Sequence, residues 1–192
     1  MEKLSKEFWS QRYTDDSTGW DLGEISKPIK AYFNQVENKE LEILIPGCGN
    51  GHEAEYLHLQ GFSNVHVLDF ARAPLDALTH RVPSFPKENV HCGDFFEHQG
   101  KYDLIVEQTL FCAIDPSLRK KYAENVKRLL EPNGQLIGLF FEFELDGGPP
   151  FGGDRKEYHT YFDPHFSSVQ FEDCYNSIKP REGRELFGII KF

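Results

Sequence analysis

A glycine-rich segment that follows an apolar run carries the clearest chemical signal in this sequence. Residues 43–53 read Ile-Leu-Ile-Pro-Gly-Cys-Gly-Asn-Gly-His-Glu, with glycines at three alternate positions. Glycine lets a backbone turn sharply and approach a ligand closely. Asp69 ends the next apolar run, at the distance where a nucleotide-binding βαβ unit places a carboxylate for ribose hydroxyls. The segment and Asp69 together predict a site for a nucleotide or nucleoside.

The spacing of these glycines separates two kinds of cofactor. The dinucleotide fingerprint is Gly-x-Gly-x-x-Gly, in which the third glycine packs the helix against the strand. This chain instead has Gly-x-Gly-x-Gly at Gly47, Gly49 and Gly51. The difference favours S-adenosylmethionine over NAD. An NAD-linked oxidoreductase remains the alternative at this point.

Other side chains capable of chemistry form no recognisable constellation. The four cysteines include no Cys-x-x-Cys pair, and the histidines are spread over several predicted elements. We therefore expect neither a metal site nor a disulfide framework. Glu107, at the end of a predicted strand, has two open interpretations: a general base, or a carboxylate satisfied by a neighbouring backbone amide. No catalytic residue is assigned.

Length and composition predict one globular domain over residues 1–192. The chain is 39% hydrophobic and 14% aromatic, which is enough to fill a single core. Its net charge of −10 argues against a nucleic-acid partner, which would require a basic face. The longest apolar runs are too short to span a membrane. Scattered cysteines fit reduced thiols, so we expect a cytoplasmic protein, acting as a monomer.

The elements that must position these residues alternate along the chain. The sequence predicts strands at 41–45, 64–69, 89–92, 102–107 and 135–143, with helices at 52–60, about 74–82 and 116–130 between them. Two further strands are predicted at 168–171 and 185–192, and residues 147–153 form a loop by composition. This order predicts an α/β fold: a doubly wound, mostly parallel, seven-stranded Rossmann-like sheet with helices on both faces.

The segment before the first strand has a different organisation. Residues 1–38 contain two stretches with helical spacing, separated by a turn-rich segment at 14–23. Both tryptophans of the chain, Trp9 and Trp20, lie in this segment. We interpret residues 1–38 as a helical cap, or lid, over one end of the sheet.

Several of these stretches resemble the thiopurine S-methyltransferase-like methyltransferases, and within them the thiol/halide methyltransferase branch. The matching stretches cover most of the chain in the family's order: residues 9–23, which end Gly-Trp-Asp-Leu-Gly, and 44–53, 94–96, 102–116, 130–134 and 147–151. Pro46 before the glycines and the Phe-Cys-Ala-Ile segment at 111–114 are the most specific of them. The resemblance implies a Rossmann-like methyltransferase that uses S-adenosylmethionine to methylate a small molecule, such as a thiol or another soft nucleophile.

The resemblance also implies which positions hold the cofactor. Aromatic residues of the cap cover it, the glycine loop cradles its methionine part, Asp69 takes the ribose hydroxyls, and Asp94 with Phe95 meets adenine. The position after Glu107 faces both the methionine moiety and the acceptor. The implied cofactor residues are Trp9, Tyr13, Trp20, Gly47, Gly49, Asp69, Asp94, Phe95 and Gln108.

The chain departs from the halide branch around the acceptor. That branch has tyrosines where this chain has Gln108 and Phe141, and tryptophan where it has Tyr13. These departures put halide in doubt as the natural acceptor. The candidates for the acceptor pocket are Gln108, Phe141, Phe151 and Glu107. A protein that binds the cofactor without turnover, as an interaction module, is a further alternative.

Overall fold

The computed structural model describes residues 4–144 and 147–192, which form one seven-stranded sheet. The first three residues of the predicted cap therefore lie outside the described residues. The strands are β1 (Ile43–Pro46), β2 (Val65–Asp69), β3 (Val90–Cys92), β4 (Tyr102–Gln108), β5 (Leu130–Phe141), β6 (Ser168–Asp173) and β7 (Glu185–Lys191). Their order across the sheet is β3-β2-β1-β4-β5-β7-β6.

The sheet is parallel except at one edge. β1 pairs in parallel with both β2 and β4, and β2–β3 and β4–β5 are also parallel. β7 is antiparallel to both β5 and β6. The chain leaves β1 in one direction towards β2 and β3 and then returns to β4 on its other side. In open sheets of this kind, ligands bind at the carboxyl ends of the strands beside such a reversal. The predicted mostly parallel sheet is confirmed.

Six helices accompany the strands within the described residues. They are α1 (Lys6–Thr14), α2 (Lys27–Phe33), α3 (His52–Leu59), α4 (Arg72–Arg81), α5 (Arg119–Leu129) and α6 (Arg155–Phe162). None of the helices in the part of the chain that the structure describes is long and apolar enough to cross a membrane.

Alternating strand residues build two cores, one on each face of the sheet. Leu44, Leu68 and Ile105 face α5 and α6 in the first cluster. Ile43, Ile45 and residues of α2, α3 and α4 form the second cluster. Successive strand side chains point to opposite faces, so buried central strands must be apolar throughout, as Ile-Leu-Ile-Pro in β1 is. The predicted helices on both faces are confirmed.

The N-terminal segment divides between the core and the cap. α2 packs Ile29 and Phe33 into the second cluster, so this helix belongs to the sheet layer. α1 has no buried residue and packs against α4, with Tyr13 reaching Gly49. Its first turn is capped by Ser5, whose side chain accepts the Phe8 amide hydrogen at 3.3 Å.

Three elements differ from the sequence prediction. α6 was not predicted at all. The predicted helix 116–130 is a 3-10 turn over Pro116–Leu118 followed by α5. The strand expected to begin at residue 135 begins at Leu130, and its pairing with β4 shifts between Tyr102 and Leu104 to accommodate the turn-like residues 132–134. This irregularity explains why a turn was predicted inside a strand.

Candidate functional site

The glycine loop leaves β1 at the carboxyl end of the sheet. Gly49 and Gly51 have φ angles of +53° and +70°, in the left-handed region that glycine adopts without strain. The Gly49 amide donates to Asp69 Oδ2 at 2.9 Å, and the Ala71 amide donates to Oδ1 at 2.8 Å. Asp69 thus ties the loop to the end of β2, and each carboxylate oxygen keeps a further lone pair for a ligand. Burial raises the pKa of this carboxyl.

The aromatic residues of the cap lie directly over this loop. The rings of Trp9 and Trp20 meet edge to face at 5.6 Å, and those of Tyr13 and Trp20 do so at 5.9 Å. A Cβ atom built on Gly49 would lie 3.0 Å from the Tyr13 hydroxyl, so a larger residue there would press against the cap and displace this hydroxyl by a few tenths of an ångström. Burial, followed by the neighbouring Asp69 carboxylate, raises the pKa of Tyr13. The structure brings Tyr13 and Trp20 to the glycine loop, and Trp9 is connected to it through its ring contact with Trp20.

A narrow cleft, with a volume of about 40 Å³, lies between Trp20 and the glycine loop. Its lining combines cap residues, the glycine loop and the end of β4: Trp20, Asp21, Leu22, Glu24, Ile45, Gly47, Cys48, Gly49, Asn50, His52, Glu53, Gln108 and Thr109. The carboxylates of Asp21, Glu24 and Glu53 give this lining a negative charge. It contains Gly47, Gly49, Trp20 and Gln108 among the predicted cofactor residues.

The end of β4 offers an unpaired acceptor to this cleft. The side-chain oxygen of Gln108 is buried, and no hydrogen-bond partner for it exists within residues 4–144 and 147–192. A buried polar atom without a partner is costly, and it marks a place where a ligand donor can bind. The next residue, Thr109, has a φ of +66°, an outlier for a β-branched side chain. Its hydroxyl donates to the Gln108 carbonyl at 2.7 Å.

Glu107 lies on the opposite face of the sheet from this cleft, in the first core cluster. It is 0% exposed, and its Oε1 accepts the Phe111 amide hydrogen at 2.8 Å. Its Oε2 accepts the hydroxyl hydrogen of Tyr122. Burial raises the pKa of Glu107 to about 7. Both oxygens are therefore occupied by protein donors, which favours the second of the two interpretations of this carboxylate.

The predicted adenine residues follow β3. Asp94 Oδ1 accepts the Phe96 amide hydrogen at 2.8 Å, which fixes the turn. Phe95 is 5% exposed, and its ring packs on Tyr122 with centroids 5.0 Å apart. Because this ring lies in the core, any contact of Phe95 with adenine would come from its backbone. The adenine role of both residues stays a prediction.

One predicted acceptor residue, Phe141, is joined to the cap by an arginine. Arg181, in the connection between β6 and β7, lies 5.5 Å from the ring centroid of Phe141. Its Nη2 donates to the Trp20 carbonyl at 3.0 Å, and its Nη1 lies 3.3 Å from the buried carboxylate of Glu185. Phe141 is thus connected to the cap through Arg181.

Phe151 is held on the far side of the loop that follows β4. Its amide donates to the Cys112 carbonyl at 2.7 Å. Arg119, 2% exposed, donates to the Gly152 carbonyl at 2.8 Å and to Glu157 at 2.8 Å. This buried guanidinium joins α5, α6 and the glycine-rich loop at 147–153. Within the described residues, the rings of Phe151 and Phe141 form no aromatic pair.

Sequence reasoning missed the polar residues that hold the cap. Asp21 lies in the Gly-Trp-Asp-Leu-Gly stretch, and its position after Trp20 was an available signal. Arg181 had none, because it meets Trp20 across 161 positions of sequence. No cluster of three or more His, Cys, Asp or Glu with metal-binding geometry occurs in the part of the chain that the structure describes.

Comparison with known proteins identifies the family. The Thiopurine S-methyltransferase (TPMT) family matches residues 4–191. The chain is 32% identical over 200 residues to a probable thiol methyltransferase 2 from Arabidopsis thaliana, covering 98% of this chain and 86% of that protein. It is 30% identical to thiocyanate methyltransferase 1 from Brassica oleracea, with coverages of 97% and 85%. It is 24% identical to a thiopurine S-methyltransferase from Vibrio campbellii, covering 82% of each chain.

Solved structures show the same fold at low sequence identity. A Burkholderia thailandensis 1,6-didemethyltoxoflavin-N1-methyltransferase, with bound S-adenosylhomocysteine, superimposes with a TM-score of 0.73 at 18% identity, covering 98% of this chain and 87% of that one. An amino pentose methyltransferase from Micromonospora echinaspora, with bound S-adenosylmethionine, gives 0.68 at 15% identity and full coverage of both chains, 100% each. The sequence match over residues 4–191 decides against the NAD-linked alternative. This chain belongs to the thiopurine S-methyltransferase family and is an S-adenosylmethionine-dependent methyltransferase with a small-molecule acceptor.

Proposed function

We propose that residues 1–192 act as a single domain in which S-adenosylmethionine binds in the cleft under the cap, the part of residues 1–38 that precedes α2. Two features of the cleft support this proposal. Trp20 faces the glycine loop across it, and the Asp69 carboxylate, tied to the Gly49 amide of that loop, keeps lone pairs for ribose hydroxyls. Aromatic faces also attract a sulfonium cation.

The donors and acceptors of the site fit this cofactor. The unpaired oxygen of Gln108 can accept a hydrogen bond from the ammonium group of the methionine part. Gly47 and Gly49 leave room for the backbone to approach that part closely. We assign adenine to the turn at Asp94 and the backbone of Phe95. Trp9, Tyr13 and Trp20 would close over the bound molecule.

When bound, S-adenosylmethionine supplies an electrophilic methyl group on a positively charged sulfur. The chain's own residues have three tasks: to orient the acceptor, to exclude water, and to leave the acceptor's lone pair free. A thiol has a pKa of about 8.5, so a few per cent is thiolate at neutral pH and no strong base is required. Alignment alone can contribute on the order of 7–11 kcal/mol to lowering a barrier.

We further propose that the acceptor is a soft sulfur nucleophile, such as hydrosulfide or an organic thiol. The observation that carries this proposal is the replacement of two tyrosines of the halide branch by Gln108 and Phe141. A small anion would lose its hydration there without gaining phenol hydroxyls. A thiolate on an apolar body would still bury that body against Phe141 and Phe151, while the Arg181 cation lies 5.5 Å from the Phe141 ring.

Steady-state assays that score S-adenosylhomocysteine release test this proposal. We expect hydrosulfide and thiophenol to exceed iodide, bromide and chloride in kcat/KM, with iodide the best halide because it is the least tightly hydrated. Phe141→Tyr should narrow the difference between thiols and halides by restoring a hydroxyl near the acceptor.

Phe143→Tyr is the matched control, since its ring lies 5.0 Å from that of Phe141 and contacts Arg184. This variant should leave the ratio of thiol to halide activity unchanged. The acceptor proposal fails if chloride or bromide exceeds every thiol, or if Phe141→Tyr leaves that ratio unmoved. Absence of turnover with all acceptors, despite cofactor binding, would favour the interaction-module alternative.

The assignment of Asp69 to the ribose can be tested by calorimetry. Asp69→Asn should weaken S-adenosylhomocysteine binding by about 10- to 100-fold, because a charge-assisted hydrogen bond contributes roughly 1.5–3 kcal/mol. A 2′-deoxyribose analogue should lose affinity in the parent protein and lose little more in the variant. If Asp69→Asn weakened the binding of S-adenosylhomocysteine and of the 2′-deoxyribose analogue by the same factor, Asp69 would act only through the Gly49 loop.

We also propose that the chain works as a cytoplasmic monomer without nucleic-acid or membrane partners. Its net charge of −10 disfavours phosphate backbones and anionic lipid surfaces. The four cysteines, all in the described part of the chain, are free thiols, as is usual in a reducing compartment.

A further inference from the structure

Asp21 joins the cap to the glycine loop. Its Oδ1 accepts the Gly23 amide hydrogen at 2.7 Å and lies 2.9 Å from His52 Nε2, while its Oδ2 accepts from the Asn50 side chain. Gly23 belongs to the same turn as Asp21, whereas Asn50 and His52 flank the last glycine of the loop. One carboxylate thus connects the turn after Trp20 to the element that binds the cofactor.

Asn50 and His52, the side-chain partners of Asp21, are themselves held in place. Arg81, from the end of α4, donates to the Asn50 carbonyl at 2.6 Å and to the Glu55 carboxylate at 2.6 Å. His52 is the first residue of α3. The Asn50 and His52 side of the contact is therefore anchored to two helices, so the mobile partner in any separation would be the cap.

Trp20 is held from both sides by this arrangement. Its carbonyl accepts from Arg181 at 3.0 Å, and the next residue, Asp21, is bound to Asn50 and His52. Its ring packs on Trp9 and Tyr13 and lines the cleft. The backbone of Trp20 is therefore held in place by the Asp21 contacts and the Arg181 contact together.

We propose that Asp21 is a positioning residue: its carboxylate latches the cap to Asn50 and His52, holds Trp20 over the cleft and thereby limits the rate of cofactor exchange. This inference rests on the proposed place of the cofactor under the cap. Hydrogen bonds to an ionised carboxylate are about twice as strong as neutral ones, so the charge of Asp21 matters as well as its shape.

Intrinsic fluorescence gives a direct readout, because Trp9 and Trp20 are the only tryptophans of the chain and both lie in the cap. Asp21→Asn removes the charge at nearly constant size. Asp16→Asn is the control, since Asp16 is exposed on the same turn-rich segment at φ +51°, a conformation that asparagine tolerates. We expect the emission of ligand-free Asp21→Asn to shift to longer wavelength, while that of Asp16→Asn does not.

Stopped-flow fluorescence then measures release of S-adenosylhomocysteine. Release should be at least about tenfold faster in Asp21→Asn, the factor that loss of one charge-assisted hydrogen bond gives. His52→Leu should speed release as well, whereas His52→Gln, which keeps a side-chain N–H donor, should restore slow release. In the Asp21→Asn background, His52→Leu should add little.

The inference is overturned if Asp21→Asn matches Asp16→Asn in release rate, or if His52→Gln and His52→Leu release the ligand equally fast. If the protein does not bind S-adenosylhomocysteine at all, the proposed function fails. The tryptophan emission of the ligand-free variants then tests by itself whether Asp21 holds the cap. An unshifted emission of Asp21→Asn would then overturn it.

Discussion

The carboxylates at the ends of β2 and β4 receive different environments from the same sheet. Asp69 accepts from the Gly49 amide and so holds the glycine loop, which lines the cleft under the cap. Glu107 is fully buried and ties the turn after β4, through the Phe111 amide, to Tyr122 of α5. A general base must reach the proton that it removes. Glu107 has both oxygens engaged in the core, so we expect its contribution to be structural.

Substitution of Glu107 tests this role through pH. Burial raises its pKa from 4.5 to about 7, so the native state binds this proton more tightly than the unfolded state. The stabilisation is full below the unfolded pKa and is lost as pH rises through about 7. Glu107→Gln should therefore gain stability relative to the parent between pH 5 and pH 8, by about 2–3 kcal/mol in urea unfolding.

Glu124→Gln, an exposed change on α5, should show no such difference between the two pH values. Folded Glu107→Gln should also keep methyl transfer within about tenfold of the parent, since loss of a general base typically costs 10²- to 10⁴-fold. A larger loss of kcat, with unchanged cofactor affinity, would restore Glu107 as a catalytic base.

Single residues could be predicted from sequence where the signal was local. The glycine spacing and Asp69 lie within one βαβ unit, and the structure joins them by the Gly49 hydrogen bond. The unpaired oxygen of Gln108 and the position of Arg181 against Trp20 depend on packing between distant segments. No local pattern contains that information.

At the scale of elements, long periodic segments were predictable and one short helix was not. α6 has only eight residues, so the i, i+3, i+4 spacing of Tyr158, Tyr161 and Phe162 extends over little more than one turn and is a weak periodic signal. Its start was nevertheless marked: Asp154 accepts the Glu157 amide hydrogen at 2.7 Å, the arrangement of an N-cap. The glycine-rich loop before it obscured that signal. β5 was shortened in the prediction because Pro132 to Gly134 have turn chemistry inside a bulged strand.

The missed helix matters for the acceptor side of the molecule. Tyr158 and Phe162 of α6 fill the first core cluster, and Glu157 binds the buried guanidinium of Arg119. Arg119 in turn holds the carbonyl of Gly152. The loop that carries Phe151 is therefore positioned by an element that sequence periodicity alone did not reveal.

At the scale of the whole molecule, the parallel strands direct the glycine loop, Asp69 and Gln108 to the carboxyl end of the sheet. Parallel order followed from the alternation of strands and helices. The insertion of β7 between β5 and β6 did not, because antiparallel edge strands can add in more than one order. The carboxyl end of the sheet also carries the cleft lining with Asp21, Glu24 and Glu53, in a chain with a net charge of −10.

This charge distribution predicts a difference between substrate and product. S-adenosylmethionine has one more positive charge than S-adenosylhomocysteine, on its sulfonium, so the negative cleft should attract it more strongly. Raising ionic strength from about 0.01 M to about 0.15 M shortens the Debye length from about 30 Å to about 8 Å. The affinity for S-adenosylmethionine divided by the affinity for S-adenosylhomocysteine, both measured by calorimetry, should therefore fall by about twofold or more. Glu24→Gln should reduce this salt dependence, whereas the control Glu131→Gln, which lies outside the cleft lining, should not. A ratio that does not change with salt would mean that the sulfonium is recognised by aromatic faces alone.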